Sequence, residues 1–489
     1  MSKEQHTHDV VVVGHGIAGL AAAVAALEDG ADVAVLERAP REERGGNTRW
    51  TEAFMRMKSI EEVADDFESH FMANAGHYID PSLVREAGRD YGQWSGILRA
   101  HPFTDPELIG TFAAAAPDTL QWLTRYGISF SPMATYLITQ CTTRIMPSGG
   151  GLQLVETLAA EAERRGARLH YETTAQDLVQ DTDGNVVGLR AVQGGRRVTF
   201  NARCVVLACG GFEGNPEMLA RYVGPKARYI RPVARGGYYN KGEGIRMGLA
   251  IGAAAGGDFS EFHAEPIDPR SGVSEPIVFC FPYGILVNAH GERFVDEASY
   301  TVDAIYEAVT RRINEQPNGM AWCILDAGID EVPNWRRTVR SDQPPITAAS
   351  VEELAAQTKL PLATLQRTIQ SFNESCNSGS FRPLELDGLA TRNLEPPKSN
   401  WARPLSRPPF IAYPITCANC FTFGGLKTDA RARVLDTSGT PIPGLYAAGE
   451  TMGLYHGTYT GATSVLRGAV FGRIAGQDAT RFSKSNCLT

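Results

Sequence analysis

Residues 9–19 combine residue types and spacings suited to holding a diphosphate. Asp9-Val-Val-Val-Val runs into Gly14-His15-Gly16-Ile17-Ala18-Gly19, a G-x-G-x-x-G, and Leu20–Leu27 continues as an alanine-rich helix. Gly14 lets the chain turn sharply. Gly16 lets the backbone reach a pyrophosphate, whose charge rests on the helix N-terminus at Ile17 and Ala18. Gly19 lets helix and strand pack closely. Glu37 closes a second run, Asp32-Val-Ala-Val-Leu-Glu37, beside Arg38, and accepts from a ribose 2′-OH. Strand, helix and acid at this spacing imply a dinucleotide-binding unit. The alternative is an ordinary tight β–α turn.

The far end of the chain selects the dinucleotide. Residues 434–450 form a turn and a strand ending in Gly444-Leu-Tyr-Ala-Ala-Gly449-Glu450, and a helix start follows at Gly461-Ala462-Thr463-Ser464-Val465. A nicotinamide domain is complete in one block. A flavin domain takes a second cofactor contact from a returning C-terminus, so FAD is expected. Val205-Val-Leu-Ala208-Cys-Gly210-Gly211-Phe212 reads as a third buried strand passing close to the cofactor.

The elements that must carry these contacts are then placed. Residues 1–47 form the first β-α-β unit. Residues 60–130 are helical, with breaks at Pro81, Pro102, Pro106 and Pro117. Gly149-Gly150-Gly151 opens a helix that Gly166 stops. Strands are expected at 168–173, 186–192, 197–200 and 203–208, with a hairpin through Gly194-Gly195. The segment 260–420 differs in texture. It holds Ile285-Leu-Val-Asn288, Trp322-Cys-Ile-Leu-Asp326, a helical 351–376 and a Pro-rich 383–414. The expected fold class is α/β: a Rossmann-like FAD-binding domain, discontinuous over 1–259 and 421–489, with an inserted α+β cap domain at 260–420.

Composition narrows the function classes. The 489 residues are 43% hydrophobic and 21% charged, which suits a large globular chain of two or more domains. A net charge of −8 argues against phosphate-tracking nucleic-acid binding. No 18-residue apolar run suggests a membrane span, and Met1–His8 lacks a signal-peptide core. The nine scattered cysteines read as reduced cytoplasmic thiols. Cys417-Ala-Asn-Cys420 has no second pair, so no metal site is expected.

These motifs resemble the flavoprotein subunits of fumarate reductase and succinate dehydrogenase and their soluble relatives. The matching residues are the N-terminal G-x-G-x-x-G with Glu37, Gly45-Gly46-Asn47-Thr48, Gly149-Gly150-Gly151, Gly284 through Arg293-Phe294-Val-Asp-Glu297, Phe423-Gly-Gly-Leu-Lys-Thr-Asp429, Gly444 through Glu450, and Phe471-Gly-Arg-Ile-Ala-Gly476. Within that family, Arg44-Gly-Gly-Asn-Thr and Gly461–Gly468 look most like tricarballylate dehydrogenase. Thr458-Tyr459-Thr460-Gly461 is similar to an element of 3-ketosteroid dehydrogenase. The resemblance also marks departures. Where fumarate reductases carry a proton-donating Arg, this chain has Tyr300-Thr301. Where they carry a carboxylate-binding Arg, it has Thr458-Tyr459-Thr460. Where covalent members have a flavin-tethering His, it has Asn47-Thr48-Arg49-Trp50, so FAD is expected to be noncovalent.

Flavin chemistry at a C–C bond removes or delivers a hydride at one carbon and a proton at its neighbour, which a carbonyl or carboxyl group must acidify. Tyr459, His263, Tyr300 and His456 are the candidate catalytic groups. Arg49, Arg144 and Tyr283 are the candidate substrate contacts; Arg56 could also bind an anion. Each has an ordinary alternative as a packing or surface residue. The leading expectation is a FAD-dependent dehydrogenase or reductase of a C–C bond α,β to a carbonyl or carboxylate, with a tricarballylate-like acid as substrate. The alternatives are an enzyme acting on an apolar, steroid-like ketone, and a flavin electron-transfer or redox-sensing subunit. The electron acceptor and oligomeric state are left open.

Overall fold

The computed structural model describes residues 5–74, 81–133 and 144–485. One sheet is built on the fully buried valines of strand Gln5–Val13. Val33–Leu36 pairs with it in parallel on one side and Arg196–Leu207 on the other. Arg168–His170 extends the first edge. Pro441–Ala447 comes back from the C-terminal region to pair in parallel with Arg196–Leu207, Leu445 opposite Val205. Thr173–Gln180 and Val186–Gln193 form an antiparallel ribbon onto the first half of that same long strand. The two strands expected at 197–200 and 203–208 are therefore one continuous strand, and Thr173–Gln180 is an additional one.

Two helices lie crossed against this sheet, Ile17–Glu28 and Ser464–Ser485. They approach along a seam of small residues. A Cβ on Gly468 would lie 2.7 Å from Ile17 Cγ2, on Gly472 2.3 Å from Ala18 O, and on Gly476 2.1 Å from Ala22 O. Glycine every fourth residue keeps one helix face bare, so the C-terminal helix seats directly on the cofactor-binding helix. This contact places the start of one helix beside the start of the other.

The second sheet is antiparallel except for one short parallel pairing. Phe410–Thr422 is central, with Phe262–Ile267 on one side and Met320–Leu325 on the other; Ile285–Val287, Ile346–Ala348 and Arg231–Pro232 complete it. Arg231–Pro232 joins it from well before residue 260. Its core holds Phe281, Tyr283, Trp335 and Trp401, and the helix Val302–Glu315 covers one face.

Two sequence expectations change. Pro117 lies inside the helix Pro106–Thr124 rather than breaking it, while Pro106 starts that helix. The helical stretch 351–376 is two helices, Val351–Thr358 and Leu362–Ser375, because Lys359 turns left-handed (φ 60°) and Pro361 follows. Residues 75–80 of the expected helical region at 60–130 lie outside the described residues. Among the described residues no helix is long and apolar enough to cross a membrane.

Candidate active site

A cavity of about 510 Å³ runs from the first β–α turn to the inner face of the second sheet. Its cofactor end is set by the turn after Gln5–Val13. Gly14 sits at φ 110°, and a Cβ there would lie 2.2 Å from Ala208 O, so only glycine lets the two parallel strands end side by side. Ile17 N donates to Thr48 Oγ1 (3.1 Å). Glu37 is buried and accepts from His15 N (3.1 Å) and Ala39 N (2.7 Å). Burial pushes its carboxyl up to about 7, against the pull of those N–H groups. Behind the cavity wall, Glu213 accepts from Asn47 Nδ2 (2.6 Å) and Asn240 Nδ2 (2.5 Å), while Glu450, in the wall, accepts from Thr422 N (2.7 Å). Burial and the charge of Glu450 drive the Glu213 carboxyl well above its usual range.

The cavity walls include Gly14, Gly16, Ile17, Ala18, Glu37, Arg38, Gly45, Gly46, Asn47, Thr48, Ala208, Gly210, Gly449, Glu450, Ala462, Ser464 and Val465. Four residues expected at the cofactor are instead behind the wall. A Cβ on Gly19 would lie 2.0 Å from Gly14 O, which fits its packing task. Gly149, Gly150 and Gly151 support the Gly46–Trp50 turn, and a Cβ on Gly151 would lie 1.8 Å from Thr48 O. The walls suit a flavin dinucleotide. At Gly46 a Cβ would meet no protein atom within 4 Å, and at Gly16 none nearer than Thr48 Oγ1 at 3.4 Å. Both would project into the space that a diphosphate needs.

At the other end stand His263, Glu265, Tyr306, Glu307, Phe421 and Tyr459. His263 and Glu265 share one side of strand Phe262–Ile267 despite a bulge after His263. Asp303, Tyr306 and Glu307 share one face of helix Val302–Glu315, being three and four residues apart. The His263 ring lies 3.6 Å from both Glu265 and Glu307 carboxylates, and Tyr306 Oη is 3.4 Å from its Nε2. Burial opposes a charge on His263. The two carboxylates outweigh it and lift the imidazole to about 9.

Tyr459 lines the cavity, its ring 4.4 Å from that of His263. Its hydroxyl turns to the helix start instead of the open space. It accepts from Thr463 N and Ser464 N (2.9 Å each) and donates to Ser464 Oγ (3.1 Å). The N–H groups expected to face the flavin are thus taken by the phenol, which caps the C-terminal helix.

The other expected groups divide. Arg144 reaches the cavity, 3.8 Å from Asp303. Arg49 does not; it pairs with Glu156 (2.8 Å) and lies over Trp50. Tyr300 is an exposed residue outside the cavity wall, left at the surface by the turn into Val302–Glu315. Tyr283 is interior to the second sheet's core, donating to Pro383 O (2.7 Å) against Trp401. His456 is buried beside Thr104 Oγ1 (3.4 Å), away from the cavity wall. Cys417 and Cys420 belong to strand Phe410–Thr422 as free thiols. The sequence reading missed Glu265, Tyr306 and Glu307. The available signal was the alternation His263-x-Glu265 and the helical spacing of Asp303, Tyr306 and Glu307.

A family model described as FAD binding domain matches residues 9–466. The chain belongs to this family. It is a FAD-dependent oxidoreductase. It is 27% identical to the vinyl phenol reductase of Lactiplantibacillus plantarum over 529 aligned residues, covering 99% of this chain and 98% of the relative. Among solved structures it is similar to 3-ketosteroid-Δ4-(5α)-dehydrogenase from Rhodococcus jostii RHA1 in complex with 4-androstene-3,17-dione (28% identity, TM-score 0.69, 98% of each chain). It is also similar to the open conformation of a flavocytochrome c3 fumarate reductase (25% identity, TM-score 0.74, 98% of this chain and 79% of that one).

The FAD-binding walls give a direct test. Gly16→Val puts a branched side chain into the space expected for the diphosphate, so the variant is expected to fold but to purify colourless, measured as flavin absorbance per chain. A variant with wild-type flavin content would place the diphosphate elsewhere.

Proposed function

We propose that the protein reduces a C=C bond conjugated to a carbonyl, carboxyl or aryl group, in a substrate with little net negative charge. The observation that carries the charge preference is the pairing of Arg56, Arg144 and Arg340 with carboxylates; Arg467, which also lines the cavity, instead lies over Phe421 and Tyr455 and donates to Met452 O (3.4 Å). Arg56 is buried, bonded to Asp66 (3.1 Å from Nε) and to Gly461 O (3.1 Å). Arg340 pairs with Glu52 (2.7 Å) and Glu275 (2.9 Å), and Arg144 faces Asp303. A polycarboxylate would have to break these pairs and leave their carboxylates uncompensated. The tricarballylate-like acid first expected from the sequence is disfavoured on this ground. The aromatic walls Phe54, Phe279, Phe421 and Tyr306 suit a planar conjugated substrate.

FAD, when bound, exchanges a hydride with one substrate carbon. The chain must then supply a proton to the neighbouring carbon. In this reading Tyr306 Oη delivers it and His263 restores it, its own proton held by Glu265 and Glu307. Tyr459 orders the helix start next to the cofactor. FAD is held noncovalently, since Asn47 stands at the tethering position with its amide bonded to Glu213 and Cys420 O.

Anaerobic protein with chemically reduced flavin tests the substrate class. Mixing with 4-vinylphenol or cyclohex-2-enone is expected to reoxidise the flavin, while fumarate leaves it reduced. Rapid reoxidation by fumarate, abolished in Arg144→Ala, would restore the acid reading.

The state of His263 fixes a pH dependence. With its imidazole held at about 9, the proton is present at neutral pH and lost as pH rises through 9. Alkene reduction is therefore expected to fall above about pH 9. Glu307→Gln removes one of the two carboxylates and is expected to move that limb to lower pH. A wild-type profile flat from pH 7 to 10 would remove His263 from the proton path.

A further inference from the structure

The sheet that carries the cofactor walls also holds a cluster of three histidines outside the cavity lining. His6 and His8 alternate on strand Gln5–Val13, and His170 ends strand Arg168–His170. One ring nitrogen from each lies within 4.8 Å of the others. None of the three lines the cavity. The His8 side chain is fully buried, and its Nδ1 lies 3.0 Å from Asp32 Oδ2. A carboxylate only accepts, so Nδ1 carries the proton and Nε2 presents a lone pair. That Nε2 is buried and has no hydrogen-bond partner. The His6 ring is stacked on Phe200 at 4.8 Å, which limits its rotation, and stands 5.1 Å from the His170 ring.

We propose that His6, His8 and His170 bind a divalent transition-metal ion, zinc foremost. Three imidazoles form an all-nitrogen donor set of the kind zinc and cobalt accept with tetrahedral geometry. Asp32 takes the outer position that fixes the tautomer and orientation of a ligating histidine. His6 and His170 are half-buried. The ion would tie the start of the central strand to the sheet edge. The role is structural and independent of the function proposed above.

The test uses the untagged, FAD-loaded full chain after chelation and desalting. Co²⁺ titration is expected to give one equivalent with the intense visible bands of a tetrahedral site, displaced by Zn²⁺. His8→Ala and His170→Ala are expected to lose those bands while keeping flavin content. Asp32→Asn is expected to weaken binding about 10–100-fold. If His8→Ala does not fold, His170→Ala decides alone. Absence of a stoichiometric tetrahedral spectrum in the wild type would overturn the proposal, and so would its retention in a folded His8→Ala or His170→Ala variant. Retention with loss on Cys420→Ser would assign the ion to His263, Glu265 and Cys420 instead.

Discussion

Tyr306→Phe is expected to slow reoxidation of the reduced flavin by an alkene about 10²–10⁴-fold, the usual contribution of one positioned proton donor. The fold should tolerate the change. The hydroxyl makes only a 3.4 Å contact with His263, and the ring keeps its packing 5.2 Å from Phe279. Flavin content is expected to match the wild type. Tyr459→Phe is the informative counterpart. It deletes an oxygen that accepts two backbone N–H groups, so it is expected to lower stability by about 1 kcal/mol as a lost helix cap, with a smaller effect on rate. Rapid mixing of reduced protein with cyclohex-2-enone measures both. A wild-type rate in Tyr306→Phe together with a large loss in Tyr459→Phe would move the proton donor to Tyr459.

The cofactor half was legible in the sequence because its requirements are local. A strand ending in Gly14, a helix starting at Ile17 and an acid at Glu37 are set by neighbours along the chain, and the Gly449-Glu450 return follows the same logic. The substrate half depends on which faces two distant elements present to each other. Tyr300 was selected by its position after the Arg293–Glu297 motif, yet the chain turns there and leaves it at the surface. The cavity-facing groups come one to two helical turns later, on a face that only the helix phase reveals. Tyr459 was placed correctly along the chain, beside the helix start. What sequence could not supply was the direction of its hydroxyl, which follows from two backbone N–H groups left open by the helix. The arginines posed the same difficulty: residue type announces an anion site, whereas Asp66, Asp303, Glu52 and Glu275 arrive from elsewhere in the fold to pair with them.

Glu297→Ala is expected to unfold the second sheet's domain selectively, at a cost of about 3–5 kcal/mol. The motif Arg293-Phe-Val-Asp-Glu297 was prominent in the family resemblance, and the structure gives it an architectural task. Glu297 is fully buried and accepts from Leu286 N (2.9 Å) and from Arg293 Nε (3.0 Å) and Nη2 (2.7 Å). Arg293 also donates to Pro396 O (2.7 Å) and Pro397 O (3.1 Å). Lys398 Nζ, equally buried, lies 3.9 Å from Glu297 and donates to Pro282 O (2.6 Å) and Gly284 O (3.0 Å). Burial already pulls its ammonium down to about 8, with Glu297 the main opposing charge. Removing that carboxylate strands two buried cations against carbonyls alone and orphans Leu286 N. These contacts tie the approach to strand Ile285–Val287 to the Pro-rich segment, so their loss frees the segment that closes the domain around Trp401. Denaturant titration followed by tryptophan emission is expected to separate an early transition, reporting Trp322, Trp335 and Trp401, from flavin release at wild-type denaturant. A single unshifted transition would mean that the motif contributes little to holding the domain together.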